Sequence, residues 1–78
     1  IKQLIHITNS DFVICNTHTK SLSLLNLKNS KIVLNKYLNF STNISYLTLT
    51  NSINLLVMLK NREILHIKLQ NEEELNSL

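Results

Sequence analysis

Glycine, proline, tryptophan and alanine are all absent from the 78 residues of this chain. Without glycine, a phosphate-cradling loop is excluded, because such a loop needs glycine for the backbone to approach a phosphate closely. Turns must therefore be built from asparagine, aspartate, serine and threonine, which tolerate left-handed backbone or hydrogen-bond to it. The single cysteine excludes an internal disulfide. We expect no metal site and no cofactor, because the sequence contains no cluster of Cys and His residues.

Long apolar runs are also lacking. The longest run, residues 55–59, has five residues, whereas a membrane-spanning helix needs roughly 20. No basic stretch followed by a long apolar segment begins the sequence, so a signal peptide is not indicated. Together with the single cysteine, this predicts a cytoplasmic or nuclear protein without a membrane partner. At 44% apolar and 17% charged residues, the composition is that of a folded chain.

The sequence repeats with a period of 42 residues. A constant shift of 42, with no gap, places Thr8–Ser10 on Thr50–Ser52 as three identities in a row. The same shift places the apolar run Val13–Cys15 on Leu55–Val57. In both units, polar and apolar residues alternate or form short apolar runs between polar turns, which predicts strands rather than helices.

The predicted fold is all-β. We expect an antiparallel meander of four strands in residues 1–42 and an incomplete unit of three strands in residues 43–70. The second strand of each unit is a continuous apolar run, which is typical of a strand buried on both faces. The residues expected in the core of these strands are Val13, Ile14, Leu55, Leu56 and Val57. Residues 71–78 form an acidic tail, for which a short helix from about Glu72 and a loop are both open, the loop being favoured.

Four strands per 42 residues resemble one blade of a WD40-type β-propeller. The positions of that family's Trp-Asp dipeptide hold Leu25-Asn26 and Ile67-Lys68, and its Gly-His dipeptide would fall near Asn39-Phe40. The resemblance therefore lies in the period and in the strand pattern. It implies two adjacent blades of a longer chain that supplies the remaining blades. It also implies a non-catalytic scaffold for protein–protein interaction in a multiprotein complex.

The charge distribution suggests a partner-binding end. Residues 1–70 carry eight basic and two acidic side chains, a net charge of +6, and the tail carries the three other acidic residues. In a meander, the second turn of each unit and the connection between units lie at the same end of the sheets. The candidate partner-binding residues at that end are His18, Lys20, Phe40, Lys60 and Arg62. Three interpretations are open: a docking surface for another protein subunit, a docking surface for RNA or DNA, and solvated turn charges. Catalysis is not expected, because no paired acids or nucleophile–base pair is present in an accessible position.

Overall fold

A computed structural model describes residues 3–77. This part of the chain forms seven strands and one short helix, which confirms the predicted all-β class. The elements are β1 (Gln3–His6), β2 (Phe12–Asn16), β3 (Ser21–Asn26), β4 (Lys31–Asn39), β5 (Ile44–Leu49), β6 (Asn54–Leu59), β7 (Ile64–Lys68) and α1 (Glu72–Asn76).

The strands form two antiparallel sheets in which neighbours in sequence are neighbours in space. The first sheet has the order β1-β2-β3-β4, and the second has the order β5-β6-β7. All the pairings are antiparallel, as short turns between consecutive strands require. The first sheet lies within residues 1–42 and the second within residues 43–70, so the described residues form a meander of four strands followed by one of three.

The 42-residue repeat is visible in the strand register. In the β2–β3 pair Phe12 lies opposite Asn26, and in the β6–β7 pair Asn54 lies opposite Lys68, each residue 42 positions later. All five residue pairs of β2–β3 have such a counterpart in β6–β7. The two hairpins are therefore equivalent units in three dimensions.

The predicted constant shift of 42 residues is wrong for the first strand of each unit. Ile14 of β2 lies opposite Ile5, whereas its counterpart Leu56 lies opposite Thr48, which is 43 positions after Ile5. The cause is the connection between the strands, which spans residues 7–11 in the first unit and residues 50–53 in the second. One residue fewer in the turn moves β5 by one position relative to β6.

The core lies between the two sheets. One face of each sheet, called the inward face below, contributes to a single buried apolar cluster, and the opposite face is called the outward face. The fully or nearly buried members of the cluster are Ile7, Phe12, Ile14, Leu22, Leu24, Ile44, Leu47, Leu55, Val57, Leu59, Leu69 and Leu75. Contacts between β5 and the strands β1 and β2 join the sheets.

The expectation that both second strands are buried on both faces is correct only for the first sheet. Every residue of β2 is buried. In β6, Leu55 and Val57 on the inward face are 0% exposed, but Leu56 on the outward face is only half-buried. The prediction that Leu56 belongs to the core is therefore wrong, because its cross-strand neighbours on the outward face are Thr48 and His66 rather than large apolar side chains.

Asparagine side chains close the turns, as the absence of glycine predicts. The asparagines whose Oδ1 accepts a hydrogen bond from a nearby backbone N–H are Asn16, Asn26, Asn29, Asn51, Asn61 and Asn71. In the described part of the chain, four residues adopt positive φ between 56° and 72°: Asn9, His18, Ser30 and Arg62. These are positions where a chain containing glycine usually places it.

The acidic tail contains a helix, so the favoured prediction of a loop is wrong for residues 72–76. The side chain of Asn71 caps the helix by accepting a hydrogen bond of 2.8 Å from the backbone N–H of Glu74. Leu75 is 1% exposed and belongs to the core cluster. Burial of this leucine stabilises one helical turn that would not persist alone in water.

Candidate functional site

Three connections that are distant in sequence meet at one end of the two sheets. Residues 17–20 join β2 to β3, residues 40–43 join the two sheets, and residues 60–63 join β6 to β7. The register places Ser21 opposite Asn39 in the first sheet, so the first two connections share one end. In the second sheet Ile44 lies opposite Leu59, so the last two connections also share it.

Backbone hydrogen bonds tie these connections to one another. The bonds run from Phe40 N–H to the Lys20 carbonyl (2.8 Å), from Ile44 N–H to the Thr19 carbonyl (2.8 Å) and from Lys60 N–H to the Asn43 carbonyl (2.9 Å). The middle connection is therefore bonded to both of the others. We call the three connections, residues 17–20, 40–43 and 60–63, the basic end. Because its backbone is bonded across the sheets, the basic end is a defined surface rather than three independent loops.

The structure brings all five predicted partner-binding residues to the basic end, but it gives them different surroundings. Lys20, Lys60 and Arg62 are exposed. Phe40 is partly buried and packs against the core cluster, so it anchors the connection 40–43 to the core. Arg62 has φ of 72°.

His18 is held by the protein itself. Its backbone N–H donates to Oδ1 of Asn16 (2.9 Å), and its ring Nδ1 lies 3.1 Å from the carbonyl oxygen of Ile44. The positive φ of 61° at His18 turns the chain so that the ring reaches the second sheet. His18 thus joins the two sheets at the basic end, and the sequence pattern did not indicate this role.

The basic end carries an excess of positive charge. Its three connections contain Lys20, Lys60, Arg62 and one acid, Glu63, a net charge of +2 with histidine neutral. At the opposite end, the connections 7–11, 27–30 and 50–53 contain only Asp11 and Lys28, a net charge of zero. The positive potential is therefore concentrated at one end of the sheets.

Two polar residues that the sequence pattern does not single out, Gln3 and Asn16, join the sheets beside the basic end. The side-chain amide of Gln3 donates to the carbonyl oxygen of Leu47 (2.6 Å) and accepts from the Leu47 N–H (3.1 Å). Asn16, which is 0% exposed, donates from Nδ2 to Oε1 of Gln3 (3.2 Å). These contacts link residues up to 44 positions apart. No local pattern around Gln3 distinguishes it from a surface glutamine.

The groups that could support catalysis or metal binding are dispersed or buried. Among residues 3–71 and 73–77, no three His, Cys, Asp or Glu side chains lie close enough to hold a metal ion together. Cys15 is buried, and burial raises the pKa of its thiol, which disfavours the reactive thiolate. A small open cleft of about 220 Å³ lies at the end opposite the basic end, between the connections 7–11 and 50–53 and residues 70–71. No helix in the described part of the chain is both long and apolar enough to span a bilayer.

Comparison of the chain with protein-family models, with curated proteins and with solved structures found no match.

Proposed function

We propose that this protein is a non-catalytic scaffold of propeller type that binds an acidic segment of another protein subunit at its basic end. The observation that carries the proposal is the joining of three distant connections into one hydrogen-bonded surface with three exposed cations and one acid. A surface already held by backbone hydrogen bonds loses little conformational entropy when a partner binds.

The physical gain comes from charge. Lys20, Lys60 and Arg62 lie in connections that are bonded to a common middle segment, so they concentrate positive charge at one end of the sheets. This charge attracts the carboxylates of a partner and increases the rate of encounter. Phe40 packs against the core, so in this proposal it fixes the position of the surface and is not itself a deep apolar anchor.

The test is charge reversal at the basic end. We expect the double variant Lys20→Glu and Arg62→Glu to bind a synthetic Asp/Glu-rich peptide at least about tenfold more weakly than the unaltered chain, which corresponds to about 1.4 kcal/mol. Binding is measured by fluorescence anisotropy at 50 mM salt, and circular dichroism verifies that the sheets persist. The matched control is Lys28→Glu with Lys31→Glu, which makes the same change in net charge at the opposite end of the sheets.

Two results would contradict the proposal. One is equal weakening by the control pair, which would show that only net charge matters. The other is tight binding of an RNA or DNA oligonucleotide, steeply lost between 50 and 200 mM salt, without binding of the peptide. The second result would favour a propeller subunit that docks nucleic acid for a catalytic partner.

A further inference from the structure

Large apolar side chains are exposed on the outward faces of both sheets. On the second sheet, Tyr46, Met58 and Ile64 are 55%, 42% and 58% exposed. The register places these three side by side across β5, β6 and β7. On the first sheet, Leu4 and Ile32 are 55% and 58% exposed. They lie opposite Cys15 and Leu25 in the register.

The repeat gives these faces a specific relation. Val13 and Cys15 of β2 are equivalent to Leu55 and Val57 of β6, because the two hairpins share one register with a shift of 42 residues. The pair in β6 faces inward and belongs to the core cluster, whereas the pair in β2 lies outside that cluster. The inward face of the second sheet therefore corresponds to the outward face of the first.

The two sheets are thus stacked head to tail, in the same sense along the stack, and not face to face. In the same way, Leu56 on the outward face of the second sheet is equivalent to Ile14, which is 0% exposed on the inward face of the first. A head-to-tail interface does not close on itself after one contact. Each outward face is the counterpart of a face that is already packed inside the molecule.

We propose that the outward face of the second sheet binds the outward face of the first sheet in a second copy of this chain, which repeats the internal interface. Both faces present large exposed apolar side chains, since Met58 and Ile64 on one meet Leu4 and Ile32 on the other. The chain contains both halves of the contact, so a second copy supplies the complementary surface. The contact uses strand residues and none of residues 17–20, 40–43 and 60–63, so it does not depend on binding of an acidic partner at the basic end.

Sedimentation velocity over a concentration series tests the self-association. We expect the unaltered chain to form species larger than a monomer, and the apparent mass to rise with concentration. The variant Met58→Lys with Ile64→Lys blocks one outward face, and Leu4→Lys with Ile32→Lys blocks the other. Each variant alone is expected to be monomeric, because one blocked face leaves no complementary surface. The control Ile53→Lys alters an exposed residue in a turn and is expected to associate as the unaltered chain does.

Mixing the two blocked variants distinguishes the head-to-tail contact from other modes. Each variant retains the face that the other lacks, so an equimolar mixture is expected to form a dimer and nothing larger. A dimer of the Leu4/Ile32 variant by itself would overturn the proposal, because it would show that second sheets pair with each other. A monomeric unaltered chain at all concentrations, or a mixture that stays monomeric, would also overturn it. Far-UV circular dichroism of every variant, with Tyr46→Lys as a second way to block the second sheet, separates loss of contact from loss of fold.

Discussion

Leu55 and Leu56 are consecutive leucines in β6, yet they lie in different environments. Leu55 points into the core and is 0% exposed, while Leu56 points to the outward face and is half-buried. Alternation along a strand sends neighbours to opposite faces, so the sheet that lies over only one face decides which leucine is covered. Because both residues are leucines, the difference in their exposure reflects only the packing of the two faces.

We expect Leu55→Ala to lower the free energy of unfolding by about 2–5 kcal/mol, the usual range for a buried leucine. Leu56→Ala is expected to lower the free energy of unfolding clearly less, since the half-buried Leu56 side chain makes fewer contacts. Urea unfolding followed by circular dichroism, at a concentration below self-association, measures both. Equal losses for the two variants would show that the outward face is as well packed as the inward one.

At the scale of the element, α1 is an appendage whose stability comes from a single leucine. The helix spans five residues, from Glu72 to Asn76, which is too short to persist without tertiary contacts. Its cap at Asn71 satisfies the Glu74 N–H, and Leu75 is 1% exposed in the core. The helix therefore depends on the sheets, and the core in turn depends on Leu75.

Leu75→Ala is expected to destabilise the whole protein by about 2–5 kcal/mol and to unfold α1 first. Glu73→Ala provides the matched control, because Glu73 lies in the same helix but is exposed. Its expected effect is within about 0.5 kcal/mol. Thermal unfolding of the two variants compares them, and a loss for Leu75→Ala no larger than that for Glu73→Ala would contradict the assignment of Leu75 to the core.

The predictability of each element follows from the range of the interactions that determine it. Alternation of apolar residues and asparagine-rich turns act locally, so the all-β class and the number of strands in each unit were predicted. The β5–β6 turn is one residue shorter than its counterpart, and the similarity of Thr50–Ser52 to Thr8–Ser10 concealed this difference. The helix was left open because its burial depends on a distant core, which the capping pattern around Asn71 does not reveal.

The candidate site was predictable to the same extent. The gathering of Lys20, Lys60 and Arg62 at one end follows from strand count alone, since antiparallel strands place alternate turns together. The roles of Gln3 and Asn16 were not predictable, because they depend on a contact across 44 positions. Packing of Phe40 against the core likewise depends on how the two sheets meet, which no local pattern specifies.

At the scale of the whole molecule, the stability of the fold depends on pH through two ionisable groups, the buried Cys15 and the partly buried Tyr37. Burial raises the pKa of Cys15 above its ordinary value of 9.0. Burial also raises the pKa of Tyr37 above 10.0; the Glu74 carboxylate raises it further, and the Gln70 backbone opposes this. Both groups are acids that the fold keeps neutral. Their contribution to stability is therefore present below the pKa values of the unfolded chain and is lost as pH rises above them.

The free energy of unfolding is accordingly expected to fall between pH 8 and pH 11. Tyr37→Phe removes one of the two groups, so its stability should fall less over that range. The control Tyr46→Phe makes the same substitution at a tyrosine that is 55% exposed. Urea titrations at pH 8, 9.5 and 11 provide the comparison. A Tyr37→Phe profile identical to that of the unaltered chain would contradict the role of this tyrosine.

The bridge from Gln3 to Leu47 has a consequence for how the sheets resist wrong pairing. β1 and β5 are terminal strands of their sheets, and the free N–H and C=O groups of such strands can template the addition of strands from other molecules. The carboxamide of Gln3 offers one donor and one acceptor, as a peptide group does, and engages both backbone groups of Leu47. The carboxamide thus replaces one residue of a neighbouring strand, but it offers no further backbone groups to which another strand could bond. The middle of β5 is thereby occupied by a group that cannot propagate, and a fibril cannot grow through that position without first displacing it.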